Sequence, residues 1–147
     1  MKLRIETDGA ARGNPGPAAG AAVLYDANGQ PLCRVAVYLG TATNNVAEYT
    51  GLLAGLREAR ECGATEIDVY ADSELMVRQL LGRYQVRSAA LLPLYREAMS
   101  LLRAFPKRKI VHVPRAQNRA ADRAANDSVD RKTSFRERLP PDQNEAK

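Results

Sequence analysis

Apolar and polar residues alternate through "LRIET", residues 3–7, and that period of two predicts a strand running into Asp8. "AAGAAVLYD" (18–26) and "PLCRVAVYL" (31–39) are apolar runs of strand length, and the "DANG" between them is a hairpin turn signal. Three antiparallel strands therefore open the chain. The period then lengthens to that of a helix. "TNNVAEYTGLLAGLREARECG" (43–63) places its apolar residues on one stripe, with Thr43 as N-cap and Gly63 just past the end. "EIDVYAD" (66–72) reads as a fourth strand, again ending in an acid. "SELMVRQLLG" (73–82) is a short helix closed by Gly82. "SAALLPLYREAMSLLRAF" (88–105) is a longer one, with Ser88 as its cap and Pro93 near the first turn. "KIVHV" (109–113) is a fifth strand, and "AQNRAADRAANDSVDRK" (116–132) a last helix. There is no internal repeat. The order predicts an α/β fold with a five-stranded mixed sheet flanked by helices, in one domain over residues 1–132. Residues 133–147 hold one aromatic residue and a Pro pair, and are expected to form a mobile tail.

Composition narrows the class. A chain of 147 residues can bury one core. No apolar run approaches the roughly 20 residues needed to cross a bilayer, and "MKLRIETDG" lacks a signal-peptide layout, so a cytoplasmic protein with no membrane partner is expected. Cys33 and Cys62 form no CxxC or Cys/His cluster, which argues against zinc or a disulfide framework; both read as single buried thiols. The net charge of +5 is uneven: residues 103–138 carry 11 Lys and Arg against 4 acids, or +7, and the remainder carries 11 against 13, or −2. That asymmetry suits a polyanionic partner, and equally a solvated basic face.

Four acids occupy unusual positions. Asp8 and Asp72 each follow a strand, and would meet at the carboxyl edge of the sheet if those strands are parallel neighbours. Glu48 is not explained by helix capping, since a capping box after Thr43 would need its acid at position 46, which is Val46. It shares a helical stripe with Leu52, Gly55, Leu56 and Ala59, the inward face. Asp122 shares a stripe with Asn118, Ala125, Asn126 and Val129, beside the small Ala120, Ala121 and Ala124. Singly, each acid could cap a loop or pair with an arginine. Together they would repel, each pair by roughly 4 kcal/mol at 4 Å and an effective dielectric near 20, so the cluster needs protons or hard cations. All-oxygen donors favour Mg²⁺ or Mn²⁺, and two such ions roughly 3.5–4 Å apart suit in-line phosphodiester displacement.

"TDGAARGNPGP", "TNNVAEY", "VYADSELMVRQLLG" and "VPRAQNRAADRAAN", in that order and spacing over residues 1–131, resemble the signature blocks of type 1 ribonucleases H. The resemblance implies the ribonuclease H-like fold and an endonuclease that hydrolyses the RNA strand of an RNA–DNA hybrid, leaving 5′-phosphate and 3′-hydroxyl ends. It implies Asp8, Glu48, Asp72 and Asp122 as ligands of two Mg²⁺ ions, with Mn²⁺ able to substitute, and needs no obligatory protein partner. It also implies hybrid contacts: Asn14, Asn44 and Asn45 in the minor groove and Thr43 on a DNA phosphate, a role compatible with helix capping. The glycine-rich loop after the first strand is then a nucleic-acid-facing turn; with no GKS or GKT it is not a P-loop.

The departures from the family are informative. Many members insert a basic handle rich in Lys and Trp between the central helices; here "GRYQVRSAALLPLY" stands in its place and the chain has no Trp, as in the short, handle-less members. The family's loop before the last acid often carries a histidine. His112 lies ten residues before Asp122 but within "KIVHV", so it reads as a strand residue, and Arg115 occupies the short "PRAQ" loop. An arginine there can position or stabilise a leaving group without donating a proton at neutral pH. Two other readings remain: a reverse-transcriptase-type or integrase-like nuclease on the same fold, and a catalytically weak or silent hybrid-binding module. Retention of all four acids disfavours the silent module.

Overall fold

The computed structural model describes residues 1–139. Six strands form one mixed sheet: β1 (Lys2–Ala11), β2 (Gly16–Tyr25), β3 (Pro31–Ala42), β4 (Glu66–Ala71), β5 (Lys107–His112) and β6 (Phe135–Arg138), in the order β5-β4-β1-β2-β3-β6. The helices are α1 (Asn44–Glu61), α2 (Glu74–Leu80), α3 (Leu92–Leu102) and α4 (Arg119–Arg131), with a single 3₁₀ turn at Arg115–Gln117. The β1–β2–β3 meander is antiparallel, and β1 is parallel to β4 as β4 is to β5. β1 is thus the seam between the two halves. Among the described residues no helix is long and apolar enough to cross a membrane.

Strand alternation sorts the core into two layers. Leu3, Ile5, Ala22 and Leu24 face one side, where Tyr49, Leu52, Leu53 and Leu56 of α1 pack with α2 and α3. Ala21, Val23 and Ala36 face the other and meet Ala124 and Ala125 of α4. Each large α1 side chain removed from water contributes about 1.5–3 kcal/mol. The local signals operate as expected: Thr43 accepts a bond from the Val46 N–H at 3.3 Å, and Gly63 follows the C-cap with φ +78°. In the hairpin the Asp26 carboxylate accepts from the Asn28 N–H at 2.9 Å.

The structure departs from the sequence expectations at four points. The sheet has six strands rather than five, and the break expected after Lys132 is absent, because Phe135–Arg138 pair antiparallel with Cys33–Ala36. Arg136 clamps the buried Glu58 of α1 through its Nε, at 2.9 Å, while Arg34 holds Glu137 at 2.8 Å. The end of the presumed tail, residues 140–147, lies outside the described residues. α3 begins at Leu92 rather than Ser88, since Pro93 is confined to a first helical turn; Ser88 instead caps the turn before it. Cys33 is buried but Cys62, the C-cap of α1, is exposed. Finally, β1 runs past Asp8 to Ala11, so the acid sits inside a strand.

The position of α1 depends on missing side chains. A Cβ on Gly9 would lie 2.4 Å from the Glu48 backbone nitrogen, one on Gly20 2.3 Å from the Gly51 nitrogen, and one on Gly51 2.4 Å from the Asp8 carbonyl oxygen. Helix and sheet here touch backbone to backbone. Gly51→Ala, whose methyl group has no flexible neighbour to displace, is expected to destabilise the protein by about 1–3 kcal/mol or more, as overpacked cores do, with urea unfolding as the measurement.

Candidate active site

Parallel pairing of β1 with β4 ends at Thr7 and Ala71, so Asp8, still within β1, and Asp72, just past the end of β4, are the next residues along the two chains. Their side chains leave the sheet where its parallel half stops. Gly9 lets the first turns of α1 rest on β1, and that contact carries Glu48 to the same point. Asp8, Glu48 and Asp72 each offer an oxygen, and these oxygens lie within 4.8 Å of one another. Asp122, in the first turn of α4, stands outside that set but adds its negative charge to the field at Asp8. The structure therefore brings three of the four expected acids into direct range, with the fourth alongside.

Asp8 is 2% exposed. Its Oδ1 accepts a bond from the Gly9 N–H at 2.8 Å, whereas its Oδ2 and Glu48 Oε2 are buried without a partner. Buried carboxylate oxygens without partners are costly unless something neutralises them. Burial raises the Asp8 carboxyl above its ordinary 3.8, with the charges of Asp72 and Asp122 adding to the effect and the Gly9 N–H opposing it. Burial likewise raises Glu48 above 4.5, helped by Asp8 and Asp72. Oxygen-only donors, unsatisfied and crowded, fit a hard divalent cation of the Mg²⁺ or Mn²⁺ kind.

The residues expected to contact nucleic acid also come together. Asn14 sits in the exposed turn after β1, and its Oδ1 accepts from the Asn44 N–H at 3.0 Å, fastening that turn to the start of α1. Thr43 and Asn45 flank this contact and are exposed. The glycines of the loop have a different division of labour from the one expected: Gly9 and Gly20 face α1, and Gly13, with φ +99°, shapes the exposed turn.

His112 is the last residue of β5, as expected of a strand residue, but it is exposed, with Nε2 3.3 Å from the Asp72 carbonyl oxygen. Arg115 opens the 3₁₀ turn that follows and is exposed. Sequence reasoning noted Asn118 only as a stripe neighbour of Asp122. It is 0% exposed and gives its amide to the Thr7 carbonyl at 2.8 Å, pinning the start of α4 beside Asp8. The available signal was its position one turn before an acid on the buried face.

Residues 6–128 match the family described as reverse transcriptase-like. The chain is 49% identical over 131 residues to the bifunctional protein Rv2228c of Mycobacterium tuberculosis, covering 88% of this chain and 36% of that protein. It thus spans about a third of that relative's length. The solved N-terminal RNase H domain of Rv2228c superposes with a TM-score of 0.86 at 48% identity, over 89% of this chain and 95% of that one. Ribonuclease HI of Halobacterium salinarum is 42% identical over 84% of this chain and 62% of its own length. LC11-RNase H1, solved in complex with an RNA/DNA hybrid, gives a TM-score of 0.83 at 37% identity, over 88% of this chain and 98% of that one.

The raised carboxyls set a sign for stability without metal. The folded protein retains protons that the unfolded chain releases near 3.8 and 4.5, so stability falls as pH rises above about 4. Asp8→Asn puts a neutral amide where the folded protein must otherwise hold a proton on a buried carboxyl. In EDTA at pH 7 its Tm is expected to exceed that of the wild type, and Mg²⁺ should raise the wild-type Tm more than the variant's, both read by calorimetry.

Proposed function

Because the chain belongs to the reverse transcriptase-like family, among its type 1 ribonucleases H, we propose that it cleaves the RNA strand of RNA–DNA hybrids by a two-metal-ion reaction, leaving 5′-phosphate and 3′-hydroxyl ends. The observation that carries this reading is the acid cluster itself: Asp8, Glu48 and Asp72 each bring an oxygen within 4.8 Å of the others, and Asp8 and Glu48 each keep a buried oxygen without a partner. Asp8, Glu48, Asp72 and Asp122 would hold the cations. When bound, Mg²⁺ ions supply a nucleophilic water at neutral pH and neutralise charge on the phosphate.

The chain's own residues then divide the remaining work. Asn14, Asn44 and Asn45 present amides in one exposed cluster at the start of α1 and would read the minor groove, where an RNA strand displays 2′-hydroxyls. Thr43, at the N-terminus of α1, would take a phosphate of the DNA strand. A site that needs a 2′-hydroxyl on one strand and a DNA backbone on the other selects a hybrid over either homoduplex. The hybrid held by LC11-RNase H1 supports the same substrate here. Arg115, exposed and with no ion pair among the described residues, would meet the scissile phosphate or the leaving 3′-oxygen.

A labelled RNA–DNA hybrid, incubated with and without Mg²⁺ beside duplex RNA and duplex DNA, tests the proposal. Cleavage of RNA in the hybrid, dependent on Mg²⁺ and nearly absent on both homoduplexes, is expected. Equal rates on double-stranded RNA would refute the specificity, and hybrid binding without cleavage would favour a silent module. Arg115→Ala should lower turnover about 10–1000-fold, or ~1.4–4 kcal/mol of barrier, with little change in hybrid affinity. His112→Ala, at an exposed strand end, should keep near-wild-type stability and turnover; the opposite pattern would make the histidine the leaving-group partner.

A further inference from the structure

The fourth acid is held by a neighbour that none of the expected roles uses. Asn126 lies one helical turn beyond Asp122. Its Nδ2 donates to the Asp122 carbonyl at 2.9 Å and to the Asp122 carboxylate Oδ1 at 3.2 Å. On its other side, Asn126 Oδ1 accepts from the Arg12 guanidinium at 3.3 Å, and Arg12 is anchored by Asp130. The two ends of the amide are not interchangeable. Its NH₂ group meets only acceptors, and its oxygen meets a group that can only donate. Arg12 is also the first residue of the exposed turn that carries Asn14, and its backbone N–H closes that turn on the Pro17 carbonyl at 2.8 Å. One side chain therefore bridges the turn and the acid, with Arg12 and Asn126 themselves 114 residues apart.

We propose that Asn126 is a positioning residue: it aims the Asp122 carboxylate toward the acid cluster and ties it, through Arg12, to the turn that would contact the hybrid. The inference rests on the ribonuclease H reading for what Asp122 and the turn do. Its physical basis is the choice of an amide. A carboxylate in a first helical turn has several staggered conformers, and metal-ligating carboxylates are oriented by hydrogen bonds from neighbours. A cation at position 126 would neutralise the charge that a divalent ion needs. An acid there would repel Asp122. A neutral amide orients the carboxylate and leaves its charge intact, while its oxygen remains available to the arginine. Ordering of the turn on a hybrid would thereby favour one orientation of Asp122.

Wild type, Asn126→Ala, Asn126→Asp, Arg12→Ala and the Arg12→Ala/Asn126→Ala double variant separate the possibilities through three measurements. These are steady-state hybrid cleavage, calorimetric titration of the hybrid-free protein with Mg²⁺, and thermal melting in EDTA. Asn126→Ala should lower kcat about 10–100-fold, the usual cost of losing a group that orients a ligand, and should weaken Mg²⁺ binding. KM for the hybrid and the Tm in EDTA should stay near wild type. Asn126→Asp can accept from Arg12 but cannot donate to Asp122, so it should remain low in kcat. Arg12→Ala should lower kcat less, and the double variant should resemble Asn126→Ala alone, because the two act on one acid. Wild-type kcat and Mg²⁺ affinity in Asn126→Ala would overturn the inference, as would restoration by Asn126→Asp or a loss that simply tracks Tm. Absence of hybrid cleavage by the wild type would instead overturn the ribonuclease H reading, and the Mg²⁺ titration would still decide whether Asn126 governs Asp122.

Discussion

The backbone-to-backbone seating of α1 on β1 and β2 is the constraint on which the rest of the structure depends. Three glycines meet there: Gly9 and Gly20 on the strands and Gly51 on the helix. Packed through ordinary side chains, a helix stands off a sheet by a full layer of side chains, which would carry an acid in its first turns away from the strand carboxylate. With the side chains deleted, the first turns of α1 drop onto β1 at the residue after Asp8. The large residues of the same helix, Tyr49, Leu52 and Leu56, fill the core on the flanking turns. One helix is thereby both the main hydrophobic partner of the sheet and the carrier of Glu48. Apolar burial pulls together the charges that repel.

That opposition explains the electrostatics of the site. Apolar side chains and fixed backbone contacts hold Asp8 and Glu48 where one oxygen of each is left without a protein partner. The N–H of Gly9 relieves Asp8 in part, and Asn118 and Asn126 act one turn to either side of Asp122, the first on the position of its helix and the second on its carboxylate. All three supply dipoles and none supplies a positive charge. Cations are placed elsewhere: Arg4 sits by Glu6, Arg34 by Asp127 and Glu137, Arg136 by Glu58. The ion pairs that secure the sheet leave the acid cluster unneutralised, as a site for an added cation requires.

How much of this was legible follows from the range of each interaction. Periods of two and 3.6 residues, Thr43 as a cap and the "DANG" turn act within a few residues, and they marked five strands and the helices. The convergence of Asp8, Glu48 and Asp72 was legible because two acids followed strands and the third broke the apolar face of a helix. β6 was missed because "FRER" has no apolar period of its own: it is held by Arg136 on Glu58, 78 residues away, and by Glu137 on Arg34, 103 residues away. Cys62 is exposed because it stands at the C-cap of α1, beyond Ala59, the last buried residue of the helix. Asn126 was visible only as a polar member of an acid's stripe. Its partner Arg12 belongs to a different segment, and no local pattern joins them.

The partnerless oxygens of Asp8 and Glu48 have an evolutionary consequence. A cluster that weakens the metal-free fold is kept only while the bound cation is useful. Once that use lapses, substitutions of Asp8 or Glu48 by neutral residues improve folding, and drift favours them. Descendants of such a protein that turned to another task would shed these acids early and retain the glycine contacts, because those serve the fold itself. An Asp8–Glu48 pair with one unsatisfied oxygen on each acid is what a lineage selected to bind a cation at this edge of the sheet would keep.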